Sequence, residues 1–426
     1  MKKQTFLRIL FGAILLAVTC LALYFFPPIN ERISWRIANL RTQIFYWLNP
    51  PDQIVLSPDQ QIDQIVQATM NAYGTQSAPT ATLQPTLETT PTPTITPTVG
   101  PTGTQIPVKV YLTGVPHEYQ SFNNCGPANL SQLLRFWGWQ GDQRNTRDAL
   151  RPNENDSNVM PEEMAAFVES TTDLKAIIRY GGSLATIKTL IAAGFPVILE
   201  TGHDPEKDWW MGHYVTINAY DDSQSIFFAQ DSLIMPDFPI PYAEIESKWW
   251  RDFNRVFLVI YPADREQEIV SILTDDFDLD TNLQNTLELN KNELSQLSGR
   301  DLFFGLFNQG AVYFKLGQIP EAVAFFDQAF SLYQTLDEDQ RPWRVLWYRE
   351  EAYQAYFQAG RYQAVIDLAN ATLSMLSKHG LEESHYWRGM SYEVMGELEK
   401  AKSDYEIALE LRPGYGLAQI AMERIK

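Results

Sequence analysis

Residues 120–130 read QSFNNCGPANL and hold Cys125, the only cysteine outside the N-terminal apolar segment. Gly-Pro follows the cysteine, and apolar residues then recur at helical spacing, at Leu130, Leu133, Leu134 and Trp137. Pro127 suits the first position of a helix, because its missing N–H would have no partner there. Asn124 or Cys125 would then be the N-cap, and the positive helix end would favour thiolate over thiol. The stretch therefore predicts a reactive thiol at the start of a helix.

A thiol nucleophile also needs a base and a group that orients the base. His213 opens a stretch, 213–220, that alternates like a strand and ends at the turn pair Asp221-Asp222. A second predicted strand, SIFFAQDS, ends at Asp231. A hairpin of this length can bring His213 and Asp231 together near its open end. Upstream, the amide of Gln120 could join the backbone N–H of Cys125 as an oxyanion hole.

These three pieces, QSFNNCGPANL, GHYVTINAY and the AQDS strand end, resemble the papain-like cysteine peptidases of the bacteriocin-leader-processing (double-glycine peptidase) type, in particular their stand-alone relatives. The resemblance covers residues 107–262 and implies an α+β papain-like fold. It implies that Gln120 is the oxyanion donor, Cys125 the nucleophile, His213 the base and Asp231 the orienting group. Family members that cut double-glycine leaders are usually fused to a transporter with several membrane spans, which is absent from this sequence. The leader-peptide substrate is therefore not carried over.

Each site residue also has a structural reading. A cysteine before a helix can be a small buried apolar residue, His213 a core histidine, Asp231 a turn former and Gln120 a loop cap. His117 and His203 are expected to lie outside the chemistry, although His203 could line the cleft. The pair Trp209-Trp210, just before Gly212-His213, either shapes a substrate cleft or covers the end of a core.

Length and composition narrow the class of protein. At 426 residues the chain should contain more than one domain. Its net charge of −19 argues against nucleic acid as a partner. Two cysteines, one of them in the apolar segment, exclude a disulfide framework and a cysteine-rich zinc site. No cofactor or metal is predicted.

The N-terminus contains 18 uncharged residues, Ile9 to Phe26, which is long enough to span a bilayer as a helix. We predict an uncleaved single-pass anchor over residues 1–28, with the domains that follow it outside the cytoplasm. A cleaved signal peptide and a lipidated Cys20 are the alternatives. Residues 29–74 form a juxtamembrane helical segment, and its amphipathic part, 29–48, either lies on the membrane surface or is an ordinary stalk helix.

Residues 75–107 are mostly Thr and Pro, with Glu88 as the one charge. Such a stretch cannot bury a core, and it could extend on the order of 100 Å. We expect a linker that holds a domain away from a membrane.

Residues 108–263 are predicted to form the peptidase domain. Helices are expected at Ala128–Gly138, Pro161–Ser170 and Leu184–Ala193 in its first half. Strands are expected at PVILETG, HYVTINAY, SIFFAQDS and RVFLVIYP in its second half.

After a helical connector, 264–300, the remaining residues, 301–426, repeat one pattern three times. The first copy has Gly310, Tyr313, Gly317, Ala322, Phe326 and Ala329, and the last has Gly389, Tyr392, Gly396, Ala401, Tyr405 and Ala408. The middle copy is one residue shorter at its turn, Gly360-Arg361-Tyr362. The pattern resembles the tetratricopeptide repeat, a helix–turn–helix unit, with 284–297 as an extra helix and 416–426 as a cap. Arrays of this kind bind peptides or proteins, or serve as structural appendages.

The sequence thus favours a membrane-anchored cysteine peptidase that acts on a peptide or protein, with repeats that recruit the substrate or a partner. Two alternatives use the same architecture. One is a non-catalytic anchored scaffold that binds peptides or proteins, and the other is an acyl transferase with the same Cys-His-Asp site.

Overall fold

The computed structural model describes residues 40–41, 43–48, 56–58, 106–153, 156, 158–204, 210–376 and 380–426. The predicted anchor, most of the predicted juxtamembrane segment and linker, and Trp209 lie outside the described residues. Among the described residues, no helix has both the length and the apolar character needed to cross a membrane.

Residues 109–262 form an α+β domain built on one antiparallel sheet. Its seven strands are β1 Lys109–Tyr111, β2 Leu174–Arg179, β3 Val197–His203, β4 Met211–Asp221, β5 Ile226–Gln230, β6 Phe238–Pro241 and β7 Phe257–Pro262. The order is β2-β7-β3-β4-β5-β6, with β1 also paired to β4. The central strand β4 is buried along nearly its whole length, so both faces of the sheet are covered.

Four helices accompany the sheet: α1 Cys125–Phe136, α2 Gln143–Leu150, α3 Pro161–Thr171 and α4 Leu184–Ala192. Leu130, Leu133 and Leu134 of α1 pack with Tyr214 of β4, so the apolar spacing seen in the sequence faces the sheet. The predicted helices at 161–170 and 184–193 are confirmed, as are the four predicted strands. Sequence reasoning missed β1, β2, β6 and α2, which are short or carry few apolar residues at regular spacing.

After residue 262 the described part of the chain is mainly helical, and its longer helices are α5 Glu266–Leu273, α6 Leu279–Leu294, α7 Gly299–Lys315, α8 Ile319–Thr335, α9 Glu351–Gln358, α10 Tyr362–Ser374, α11 Glu382–Val394, α12 Leu398–Leu411 and α13 Gly416–Arg424. The pairs α7–α8, α9–α10 and α11–α12 correspond to the three predicted repeats. Gly317, Gly360 and Gly396 occupy the turn of each pair with φ of +73°, +75° and +81°. Only glycine adopts this backbone freely, which explains why it recurs there.

Close helix approach within the repeats was also predicted. A Cβ on Gly310 would lie 3.0 Å from the ring of Phe326, and one on Gly389 would lie 2.8 Å from the ring of Tyr405. These are distances that real Cβ atoms rarely or never show. Small residues therefore let an aromatic ring of the second helix lie directly on the first.

The repeats and the α+β domain share one continuous apolar core. Trp210 and Phe253 of the α+β domain lie in the same buried cluster as Phe303, Phe304 and Phe307 of α7. Polar contacts reinforce this packing. Arg251 forms an ion pair of 2.8 Å with Asp301, and the Arg251 carbonyl accepts a hydrogen bond from Asn308.

Candidate active site

Cys125 is the first residue of α1, and Asn124 is its N-cap. The helix thus begins earlier than expected, and the prediction of Pro127 at the first helical position is wrong, because Pro127 is the third helical residue. The Asn124 side chain does not cap the helix. Its amide instead donates to Gln143 Oε1 at 2.8 Å, a tertiary partner invisible in the local sequence. The Cys125 thiol is partly exposed and lies at the positive end of α1.

A buried arginine shapes the loop before Cys125. The Arg151 guanidinium, at the end of α2, donates to the backbone carbonyls of Phe122 and Asn123. Asn123 has a φ of +51°, in the left-handed region. Asn tolerates this region better than most residues, so the arginine can hold a turn that presents the cysteine. Sequence reasoning did not identify Arg151.

His213 and Asp231 meet as the hairpin predicts. Thr216 of β4 pairs with Gln230 of β5, so Asp231 follows directly after the paired strand. The His213 Nε2 atom lies 3.1 Å from Asp231 Oδ1, and both side chains are buried. The same carboxylate oxygen accepts the backbone N–H groups of Leu233 and Ile234 at 2.8 and 3.0 Å. The orienting carboxylate is therefore fixed by its own turn.

The imidazole of His213 also lies close enough to the Cys125 side chain for hydrogen bonding and charge to shift the pKa of each group. Since Nε2 faces Asp231, the other ring nitrogen, Nδ1, is left for the sulfur. The backbone N–H groups of Tyr214 and Gly126 are directed at the sulfur as well. Cys125, His213 and Asp231 thus form one connected set.

The charges of this set support a thiolate and an imidazolium. Burial raises the pKa of Cys125. The hydrogen bond and charge of His213 act in the opposite direction and, together with the N–H groups of Tyr214 and Gly126, leave the pKa below its ordinary value. Burial lowers the pKa of His213, but Asp231 and then Cys125 raise it, to about 10. Burial raises the pKa of Asp231, but His213 and the two N–H groups bring it below its ordinary value.

Gln120 lies near this set through Ser232, the residue after Asp231. The Ser232 hydroxyl donates to Gln120 Oε1 at 2.8 Å, and the Gln120 backbone N–H donates to the Ser232 carbonyl at 2.9 Å. Because Oε1 is held by the serine, the Nε2 group of Gln120 is left as a donor. The Cys125 N–H is one of the first N–H groups of α1, which lack a partner within the helix.

Asn129 is a buried hub that sequence reasoning missed. Its Nδ2 atom donates to the carbonyls of Cys125 and Tyr214 at 2.9 and 2.8 Å and to Ser232 Oγ at 3.1 Å. Its Oδ1 atom accepts from Thr216 Oγ1 at 2.7 Å. The two carbonyls can only accept, so they fix the orientation of the amide. Asn129 lies four residues after Cys125, a spacing that places it on the same helix face and could have identified it.

Two further histidines, His117 and His203, lie near the Cys125, His213 and Asp231 set. His117 was expected to lie outside the chemistry, and its Nε2 atom lies 2.9 Å from the backbone carbonyl of Asp231. His203 is half-buried, with its ring centre 5.7 Å from that of His213. Burial, and then the His213 charge, lower its pKa to about 4, so it is neutral beside the imidazolium.

Trp210 covers a core and does not line a cleft. It is 3% exposed, stacks on Phe253 at 5.6 Å, and donates to Asp252 Oδ2 at 2.7 Å. Residues from the repeat region support the same strand end. Arg344 donates to the Trp210 carbonyl at 3.2 Å, and the Tyr348 ring would lie about 3.0 Å from a Cβ on Gly212. No local sequence pattern marks Arg344 or Tyr348 as neighbours of His213.

Metal ligands are not gathered at this site. Among the residues that the structure describes, no group of three or more His, Cys, Asp or Glu side chains could hold a metal ion.

The α+β fold and this Cys-His-Asp arrangement are similar to those of a papain-like cysteine peptidase domain, and the domain is joined to a helical repeat array. Residues 112–254 match the Peptidase_C39 like family, and residues 305–335 and 382–415 match tetratricopeptide repeats. The resemblance predicted from the sequence is confirmed. No curated protein matches the chain.

Three solved structures show similarity to parts of the chain. A protein from Bacillus anthracis described as C39-like is 17% identical, with 36% of this chain and 96% of that chain covered and a TM-score of 0.31. A double glycine motif protease from an AMS/PCAT transporter, in complex with the leader peptide, is 19% identical, with 36% and 99% covered and a TM-score of 0.27. MamA is 19% identical, with 35% and 82% covered and a TM-score of 0.28.

Proposed function

We propose that the chain is a cysteine peptidase that hydrolyses peptide bonds in a peptide or protein substrate. The observation that carries this proposal is the connected set of Cys125, His213 and Asp231, in which the charges favour a thiolate beside an imidazolium. A buried core histidine or a simple turn-forming aspartate would not require a half-buried thiol at a helix start as its neighbour.

The reaction follows from this geometry. The Cys125 thiolate attacks the carbonyl carbon of the scissile bond. Hydrogen bonds from the Cys125 N–H and the Gln120 amide stabilise the negative charge that develops on the carbonyl oxygen. The His213 imidazolium gives its proton to the leaving amine, which leaves an acyl group on the sulfur. Neutral His213 then takes a proton from water, which attacks the thioester and releases the carboxylic acid. Asp231 holds the ring in position throughout.

The activity is tested by incubating the purified full-length protein with a mixed peptide library and identifying cleaved peptides by mass spectrometry. We expect new termini with the unsubstituted protein and none with Cys125→Ala or Cys125→Ser. Both variants should retain the melting temperature within a few degrees, because the side chain is small and partly exposed. Equal cleavage by Cys125→Ala would overturn the assignment, and no cleavage by any form would favour the scaffold alternative.

The repeats are proposed to recruit a protein substrate or partner, as arrays of this kind present extended binding surfaces. Leu398 and Ile420 of the last repeat and cap are 50% and 60% exposed, so their side chains are available to a partner. For a protein that the enzyme cleaves, Leu398→Ser with Ile420→Ser should raise KM. For a short peptide with the same cleavage site, KM should not change. An equal KM for the protein in both forms would argue against recruitment by this part of the array.

Attachment to the membrane through Ile9–Phe26, with the domains outside the cytoplasm, is also part of the proposal. The uncharged length of that segment supports it.

A further inference from the structure

The helical residues 43–48 pack against the repeat region. Tyr46 is 3% exposed, and its ring centre lies 5.1 Å from that of Trp343 in an edge-on contact. The guanidinium of Arg344 lies 5.5 Å from the centre of the Tyr46 ring. Phe45 packs against the same apolar core. The Arg344 guanidinium also lies 4.2 Å from the centre of the Trp343 ring. The three groups therefore contact one another, and the contact combines aromatic packing with cation–π interactions.

A second contact follows ten residues later. Leu56 is fully buried in the same core as Tyr46. The neighbouring Ser57 hydroxyl accepts a hydrogen bond from Gln334 Nε2 of α8 at 3.1 Å. The chain before the Thr/Pro-rich stretch is therefore attached to the repeats at two separate points.

The chain after that stretch is attached to the same body. The Pro107 carbonyl accepts a hydrogen bond from the Tyr220 hydroxyl at 2.6 Å. Strand β1 then pairs with β4, with Lys109 opposite Asp221. Since the α+β domain and the repeats share one core, both ends of residues 59–105 are fixed to one body.

We infer that residues 43–48 and 56–58 form a docking segment that joins the peptidase–repeat body to the N-terminal part of the chain. Because residues 58 and 106 both lie on that body, the length of chain between them does not set its distance from whatever precedes residue 40. The prediction that the Thr/Pro-rich stretch holds the domain away from a membrane is the alternative to this inference. The partner of the Trp343–Arg344 surface is thus a segment of the same chain.

Chain connectivity favours this docking. The 47 residues from 59 to 105 keep the docking segment near its surface, at an effective concentration on the order of millimolar. Docking within the chain therefore needs only modest intrinsic affinity.

The docking changes the distance at which an anchor would hold the enzyme. If Ile9–Phe26 crosses a membrane, only residues 27–39 lie between the bilayer and the described helical residues. Thirteen residues span at most about 45 Å, less than half of the reach expected for the Thr/Pro-rich stretch. The docking surface also reaches the residue just before the strand that carries His213, since Arg344 donates to the Trp210 carbonyl.

The test measures whether the distance between the docking segment and the repeat region depends on the length of the Thr/Pro-rich stretch. In full-length protein with Cys20→Ser and Cys125→Ser, spin labels are placed at the exposed positions Leu48→Cys and Asp339→Cys, and their separation is measured by pulsed electron resonance. The measurement is repeated after 30 Gly and Ser residues are inserted after Thr90. We expect one narrow distance distribution that is the same with and without the insertion.

The control is the same pair of measurements with Tyr46→Ala and Leu56→Ala, which remove two buried contacts of the docking segment and leave both labelled positions unchanged. These substitutions should broaden the distribution and make it lengthen with the insertion, while circular dichroism shows the helices and sheet retained. A broad distribution that already lengthens in the protein without these two substitutions would overturn the inference. Because both labelled proteins lack the thiol of Cys125, the result is independent of the proposed peptidase activity.

Discussion

Replacing His213 by Ala should raise the pKa of Cys125 and slow its alkylation. In the structure, burial is the largest influence on the thiol and raises its pKa, whereas the hydrogen bond and charge of His213 are the largest influences that lower it. Without the imidazole, only the N–H groups of Tyr214 and Gly126 oppose burial. The pKa in His213→Ala is therefore expected at or above the ordinary value of 9.0.

The magnitude follows from the thiolate fraction. A thiol with a pKa of 9.0 is only about 1% thiolate at pH 7. Each unit by which His213 lowers that pKa raises the thiolate fraction about tenfold, and the alkylation rate rises by less, because a thiolate of lower pKa is a weaker nucleophile. We expect His213→Ala to be alkylated more slowly than the unsubstituted protein at pH 7. Asp231→Asn should have a smaller effect, because the amide can still accept from Nε2 although its charge is lost.

The pH dependence has two limbs. Activity should rise as pH increases through the lowered cysteine pKa, and it should fall as His213 loses its proton near its raised pKa of about 10. In Asp231→Asn the falling limb should move toward neutral pH, because the Asp231 charge is the largest influence that raises the His213 pKa.

The assay is the rate of iodoacetamide modification of Cys125 between pH 5 and 10, followed by peptide mass spectrometry so that Cys20 is not counted. Cys20→Ser is a matched control and should give the same profile. A profile for the unsubstituted protein that rises only near pH 9 and is unchanged in His213→Ala would show that the ion pair does not form.

Three further predictions concern stability and location. Asn129→Ala should lower the free energy of unfolding by about 2–4 kcal/mol in urea titrations, because it leaves buried acceptors unpaired. Ser232→Ala should lower it by less. Equal free energies of unfolding for the unsubstituted protein and both variants would contradict the role of Asn129 as a hub. Burial raises the pKa of Asp252 from its ordinary value of 3.8 to about 7. The free energy of unfolding should therefore fall by up to about 4 kcal/mol as pH rises from 4 to 7. Asp252→Asn should flatten that slope, and an unchanged slope would refute this prediction. Deletion of residues 1–27 should move the protein from the membrane to the soluble fraction, unless full-length protein is already soluble and lacks residues 1–26, as a cleaved signal peptide requires.

Features that depend on neighbours along the chain could be predicted from the amino-acid sequence. Helical spacing in α1, the alternation of β4 and β5, and the recurring turn glycines of the repeats each reflect local geometry, so the α+β domain and the helical array could be predicted. The pairing of His213 with Asp231 was also accessible, because a short hairpin limits where its two strands can meet.

Contacts between residues far apart in sequence are visible only in the tertiary structure. The Asn124 side chain does not cap α1, because its amide donates to Gln143. Arg151, at the end of α2, donates to a backbone carbonyl of the loop before Cys125. Tyr46 meets Arg344 across almost 300 residues. Such contacts form because buried polar groups and aromatic rings take whichever partners the fold brings near. No spacing along the chain encodes that choice, so only the folded chain shows that the repeats, the docking segment and the catalytic strand belong to one body.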